Sequence, residues 1–404
     1  MSTSFLALTG WHDVFHQILN HLDRPKDGYD DDDYNGNIYY TTLHTFQNTL
    51  LSLALSCHAF LDPSLDRLWH DLNNIHPLLK LLPNYQNHGS ICVQRLRLGD
   101  HAILNEDVLR RLANLENLTE LTVSILFRDS VALVSAQLNE RVGFRNLTTL
   151  DLRGQPADVT RFILASPMAR LNDVRIRLND HSADEFLTYI PSICQHLGPH
   201  TLTTFQAELG DFVHPPRVLM DLIEPLFHFV NLKRLELFFE EHLPLRDADL
   251  ERIARTWPQL QALILMQSEN TVSDPDTDPG SVERPTLRGL VELARGCPEL
   301  AQICIPDLDA TAACIPDADS VPLLAHGARN LCIQNLIDAE GKEEQLGVAV
   351  VLDRVFPRLK LEHCGIEWIP GYGESANPHL EDSENVSLLL RAMQMARRHY
   401  PGGV

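Results

Sequence analysis

Leu232-Lys-Arg-Leu235-Glu-Leu237 and, 28 residues on, Leu260-Gln-Ala-Leu263-Ile-Leu265 share one pattern, L-x-x-L-x-L. In an extended stretch successive side chains point to opposite faces. Leu235 and Leu237 therefore share an apolar face, and Glu236 points the other way. Between the two phrases lies RDADLERIARTWPQL, residues 246–260. There Leu250, Ile253, Ala254 and Trp257 recur at helical spacing, and Asp247 stands ahead of the first turn in the position of a cap. Neither the strand face nor the helix stripe can be buried within one such unit.

The phrase recurs along most of the chain. Its middle apolar residue falls at 96, 121, 150, 174, 205, 235, 263, 303, 331 and 359, at intervals of 25, 29, 24, 31, 30, 28, 40, 28 and 28. The interval of 40 contains an insertion rich in Pro and Asp at 270–285. Helical patterns return between phrases in RVLMDLIEPLFHFVNL, PTLRGLVELARGCPEL and EEQLGVAVVLDRVFPRL. A strand, then a helix, at a period near 29 predicts an α/β right-handed solenoid of the leucine-rich-repeat type over residues 90–370. About ten repeats would line up parallel strands on a concave face and helices on a convex one. The competing fold is a doubly wound α/β domain, whose strands run more continuously apolar without such anchors. Residues 374–404 leave the repeat. SENVSLLLRAMQMARRHY predicts a capping helix with Leu388, Leu389, Ala392, Met395 and Ala396 inward and Ser383 as its cap.

The residue inside each L-x-L is expected on the concave face. In order these are Arg97, Thr122, Asp151, Arg175, Gln206, Glu236, Ile264, Cys304, Cys332 and Lys360. Arg97, Asp151, Arg175 and Glu236 are candidate target-binding residues. Phe238, Ile264 and Met266 make a candidate apolar hot spot if they face solvent. The alternative is cover by the insertion or by the C-terminal tail.

Composition narrows the partners. The formal net charge of −22 argues against nucleic acid and anionic membranes, which demand a basic face. It suits protein partners. Eight scattered cysteines without a C-x-x-C pair fit reduced core residues. No basic leader and no long apolar run is present, so a soluble chain of the cytosol or nucleus is expected.

Residues 1–83 do not follow the repeat. WHDVFHQILNHL predicts one short helix, an acidic loop follows at 23–45, and the apolar run to Leu72 predicts two more helices, broken at Asp62-Pro63. The stretch L-S-C-H-A-F-L-D-P-S-L-D-R-L-W, residues 55–69, resembles the F-box family, in the form abundant in filamentous fungi. The matching residues are Leu55, Cys57, His58, Phe60, Asp62, Pro63, Leu65, Leu68 and Trp69, and Ile18, Leu19 and Leu22 resemble the family's first helix. Residues 8–15 read LTGWHDVF where the family's motif opens with L-P-x-E, and the first two expected helices stand further apart. The resemblance implies docking on the Skp adaptor of a cullin–RING (SCF-type) ubiquitin ligase through Ile18, Leu22, Leu51, Leu55, Leu65, Leu68 and Trp69. The repeats behind would hold an unknown protein substrate. If these helices only cap the solenoid, the chain is an adaptor-independent scaffold.

Chemical motifs point away from an enzyme. His12 and His16 have the spacing of a helical zinc pair, but Asp13 stands where that motif has glutamate. Asp31, Asp33 and Asn35 open like a calcium loop, which needs a carboxylate where Thr42 stands. No metal and no cofactor is expected. A GTPase-activating role would require a rim arginine, for which Arg97 and Arg175 are the concave-row candidates.

Overall fold

The computed structural model describes Ser52 and residues 71–72, 94–98, 112–113, 115, 117–125, 144–178, 183–210, 218–240, 243–267, 283–324, 326–337, 339, 341–360 and 380–399. The chain divides into two compact units, Met1–Gly99 and Asp100–Val404.

In the first unit, β1 (Asp71–Leu72) runs parallel to β2 (Arg95–Leu98), with Asp71 opposite Arg97 and Leu72 opposite Leu98. Residues 71–72 close the apolar run that predicts a helix, and here they are extended. They satisfy backbone groups along β2 that would otherwise lack partners. Ser52, inside the second expected helix, is helical and exposed. All seven expected adaptor contacts, the acidic loop and most of the insertion lie outside the described residues.

The second unit is a run of parallel strands in sequence order: β3 (Glu120–Ile125), β4 (Thr149–Gly154), β5 (Asp173–Leu178), β6 (Thr204–Glu208), β7 (Arg234–Phe239), β8 (Ala262–Gln267), β9 (Gln302–Asp309) and β10 (Asn330–Ile337). The order never reverses, whereas a doubly wound sheet must reverse at its switch point. The anchors themselves stand in register, Leu121 to Leu150, Val174, Phe205, Leu235, Leu263, Ile303 and Leu331. The register arises from one repeated device. Seven times in succession, two consecutive N–H groups converge on one carbonyl of the previous repeat, from Thr148 and Thr149 on Thr119 to Arg329 and Asn330 on Ala301.

Helices close the repeats: α1 (Pro156–Ala165), α2 (Ala183–Leu197), α3 (Met220–Ile223), α4 (Asp247–Thr256), α5 (Leu287–Gly296) and α6 (Lys342–Val355). The expected stripe of α4 (Leu250, Ile253, Ala254) is buried, and so are Leu287, Leu290, Val291 and Ala294 along α5. Residues 218–232 give less helix than expected. Pro225 supplies no N–H, and α3 passes into a 3-10 turn at Glu224–His228.

Beneath the helices runs a second ladder, made of side chains. The Trp257 indole N–H donates to the Phe229 carbonyl at 2.8 Å, the Cys297 thiol to the Trp257 carbonyl at 3.3 Å, and His326 Nε2–H to the Cys297 carbonyl at 2.9 Å. The N–H of Ala328 donates to His326 Nδ1, which fixes that imidazole tautomer. Burial pushes the Cys297 thiol up to about 12, so it stays protonated and able to donate.

Asp247 does not cap its own helix. Asp249 does so, accepting from the Arg246 N–H at 2.9 Å. The Asp247 carboxylate instead accepts from the backbone N–H and the hydroxyl of Thr286, both at 2.7 Å, in the next repeat. Thr286 in turn caps α5 by accepting from the Arg288 N–H. This latch joins two helix starts across the insertion. Asp247→Ala is expected to cost about 1.5–3 kcal/mol in urea unfolding, the range for hydrogen bonds to a charged group. The double variant D247A/T286A should cost less than the two singles summed, because they share one contact. Strict additivity would show that the latch contributes nothing.

The C-terminal helix α7 (Leu380–His399) packs on α6. Its phase differs from the expected one. Val386 and Leu390 are buried, while Leu388, Ala392, Met395 and Ala396 are exposed. The helix begins before Ser383, so Ser383 is not its cap. Polar tethers set the phase: Gln394 donates to the Leu359 carbonyl at 3.0 Å, and Arg397 pairs with Asp353.

Candidate functional site

The candidate site is the sheet face that carries the residues inside each L-x-L. Thr122, Asp151 and Arg175 are half-buried there, whereas Gln206, Glu236, Ile264 and Cys304 are buried. The central strands are thus covered on both faces. Ile264, at 5% exposure, is not the solvent-facing centre of a hot spot. Phe238 and Met266, opposite each other in register, remain half-exposed. Arg97 is exposed on β2 of the first unit.

Over β4 to β7 the face carries a cross-linked set of charges. Asp151 lies 3.3 Å from Arg177 and 3.9 Å from Arg175. Arg177 reaches Glu208 at 3.5 Å, and Arg175 Nε donates to Gln206 at 2.7 Å. Arg234 pairs with Glu236. Half-buried Asp173 sits below, its carboxyl raised by burial against the opposing pull of Arg175. Asp151, Arg175 and Glu236, expected as target contacts, therefore already engage one another's neighbours. A ligand here must exchange these contacts rather than meet bare charges.

Over β8 to β10 the face changes character. Cys304 and Cys332 stand opposite in register, and contact with the Cys332 sulfur together with burial pushes the Cys304 thiol up. The β8–β9 pairing stops at Ile264–Cys304, just short of Pro306, which has no N–H to give. The Gln334 side chain fills the gap. Its amide oxygen accepts from the Gln267 N–H and its amide nitrogen donates to the Gln267 carbonyl, both at 2.8 Å. Beyond it Asn335 donates to Asp307 at 2.9 Å, with Arg284 3.9 Å away.

Lys360 does not continue the row of Cys332. Its N–H donates to the Arg329 carbonyl, which makes it the equivalent of Arg329 and Ala301 at the strand-start rim. Leu359 is accordingly a first anchor, like Leu260 and Leu300, and the expected frame of the last repeat is corrected. The signal lies in the sequence. Trp257-Pro-x-Leu260, Cys297-Pro-x-Leu300 and Phe356-Pro-x-Leu359 align without a gap. The rim holds a recess of about 410 Å³ lined by Arg234, Gln261, Ala262, Ala301, Gln302, Arg329, Asn330 and Lys360, which the search for L-x-L phrases missed.

Among the described residues no three His, Cys, Asp or Glu side chains gather as a metal site, and no helix is long and apolar enough to cross a membrane. No family model matches the chain and no curated protein matches its sequence. Among solved structures it is similar to one from yeast, the crystal structure of a Rad7 and Elc1 complex. Identity is 15% over 94% of this chain and 98% of that one, at a TM-score of 0.36. A Bacteroides fragilis protein is similar at 12% identity over 76% of this chain and 85% of that one, at a TM-score of 0.32. Likenesses this distant carry no argument about function.

Proposed function

We propose that this chain is the substrate-recognition subunit of an SCF-type ubiquitin ligase. The observation that carries the reading is the stretch from Leu55 to Trp69, with its F-box-like order of Leu, Cys, Asp-Pro and Leu-Trp, set directly before a repeat array. In this reading Ile18, Leu22, Leu51, Leu55, Leu65, Leu68 and Trp69 dock on the Skp adaptor. The sheet face, through Asp151, Arg175, Phe238 and Met266, holds a target protein in the cytosol or nucleus. The contribution is proximity: the target's lysines are held near a ubiquitin-charged enzyme bound elsewhere in the complex, so this chain needs no catalytic residue.

The test is co-purification of the full chain with its host's Skp adaptor, beside the triple variant L55A/L68A/W69A. The expected result is stoichiometric complex with the wild type and loss of at least about a hundredfold in affinity for the variant, since three central apolar anchors are removed. A well-folded wild-type chain that captures no adaptor overturns the reading and leaves an adaptor-independent scaffold.

A further inference from the structure

Cys304 and Cys332 face each other at matched positions of the neighbouring strands β9 and β10. The ladder continues on both sides of them, from Gln302–Asn330 to Asp309–Ile337, so the two sulfurs meet without any movement of the chain. Neighbouring strands lie about 4.8 Å apart, within the Cα separation of roughly 4.4–6.8 Å that a disulfide spans. The two thiols are not alike. Cys304 is buried, with Ile264 opposite it on β8, and Cys332 is half-exposed. The Cys304 S–H donates to the Cys332 sulfur, which holds the Cys332 thiol below its usual range against the effect of burial. The same contact, together with burial, holds the Cys304 thiol well above its own. Cys332 therefore gives up its proton first and meets solvent, while Cys304 keeps its proton behind it. The other described cysteines lack this arrangement. Burial pushes the Cys194 and Cys297 thiols up to about 12, and the Cys314 thiol donates to the Asp309 carboxylate.

We propose that Cys304 and Cys332 are a site of reversible oxidation, in which a hydroperoxide converts the two thiols to a disulfide that ties β9 to β10. The thiolate is the nucleophile, so Cys332 attacks one oxygen of the peroxide. The O–O bond breaks and Cys332 becomes a sulfenic acid. The hydroxide that leaves takes up the proton Cys332 had lost and becomes water. The Cys304 sulfur then attacks the Cys332 sulfur. The S–S bond forms, the S–O bond breaks, and the hydroxyl departs with the Cys304 proton as a second water. Two thiols are oxidised and one hydrogen peroxide is reduced to two waters. The bond draws the two Cβ atoms to about 3.8 Å, roughly 1 Å closer than the strand spacing. That strain makes it a labile disulfide, which a thiol pool reduces again. The link lies in the row of residues inside the L-x-L phrases, and its chemistry is the same in a ligase subunit and in a scaffold.

The test treats the full chain, without adaptor, with a few equivalents of hydrogen peroxide. Remaining thiols are then alkylated, and peptides are mapped by mass spectrometry without reduction. The expected product is one linked peptide pair joining Cys304 to Cys332, lighter by two hydrogens and lost again on incubation with glutathione. Cys194 and Cys297 should remain alkylatable on unfolding. C304A should stop at the sulfenic acid, trapped on Cys332 by dimedone. C332A should leave Cys304 reduced, with thiol loss at this pair slowed at least tenfold, because the attacking thiolate is gone. Matching thermal melts exclude unfolding, and if a variant melts early the map of the wild type decides alone. A wild-type chain in which Cys332 is oxidised without linkage to Cys304, or is linked to another cysteine, overturns the proposal. So does a pair left reduced while Cys194 or Cys297 is consumed.

Discussion

Trp257→Ala is expected to lower the unfolding free energy by about 3–5 kcal/mol, the range for deleting a large buried aromatic side chain. Trp257 is fully buried and meets the Phe227 ring edge-on, with ring centroids 5.0 Å apart. It also sits in the middle of the side-chain ladder, donating to Phe229 while its own carbonyl accepts from Cys297. Truncation opens a cavity and removes the donor between two repeats at once. Trp257→Phe separates the two effects. It keeps much of the ring volume and loses the N–H, so it should cost less, about 1–3 kcal/mol. Urea denaturation followed by far-ultraviolet circular dichroism measures both. The alanine transition should also broaden or split, because repeats on either side lose their coupling. A single sharp transition with a shift below about 1 kcal/mol would show that the neighbouring repeats do not lean on this side chain.

Gly289→Ala has the second large effect, and its sign is the informative part. On helix propensity alone, alanine inside α5 should stabilise by about 1 kcal/mol. The structure demands the opposite. A Cβ at 289 would stand 2.3 Å from Asp247 Oδ1 and 3.1 Å from the Asp247 Cα. The carboxylate cannot swing away without abandoning Thr286, and the nearby backbone cannot move without parting α4 from α5. A loss of roughly 2–4 kcal/mol is expected from overpacking together with the broken latch. Gly327→Ala is the control, with nothing within 4 Å of its added carbon, and should change stability by less than about 0.5 kcal/mol. Stabilisation by G289A would overturn this account of the latch.

The sequence pattern carried the sheet well and its surroundings less well. Apolar anchors at a regular interval force neighbouring strands to align, so the register from Leu121 to Leu331 could be read in one dimension. The frame failed at Leu359, because Phe356-Pro-Arg-Leu359-Lys360-Leu361 fits both the L-x-L phrase and the Pro-x-Leu turn, in frames three residues apart. Asp247 looked like a local cap because capping is short-range; its partner lies 39 residues away across an insertion. The phase of α7 depends on Asp353 and on the Leu359 carbonyl, neither of which a hydrophobic count can weigh. Strand alternation puts Ile264 on the concave face and leaves open whether solvent or another segment meets it, because alternation says only which face a side chain takes and not what covers that face; Ile264 is buried. The adaptor contacts rest on the sequence resemblance, since they lie outside the described residues.

The shared carbonyls at the strand starts also bear on how such a chain reaches its native state. Each of these bonds joins residues one repeat apart, from Thr119 to Thr148 and onward to Arg329 and Lys360, and the closing loop is never longer than one period and its insertion. Lengthening the array leaves that separation unchanged, so the mean separation of contacting residues, taken as a fraction of chain length, falls as repeats are added. A chain built this way closes many short loops of similar cost in place of a few long ones. Structure begun on any adjacent pair of repeats can then spread to both sides, one neighbour at a time.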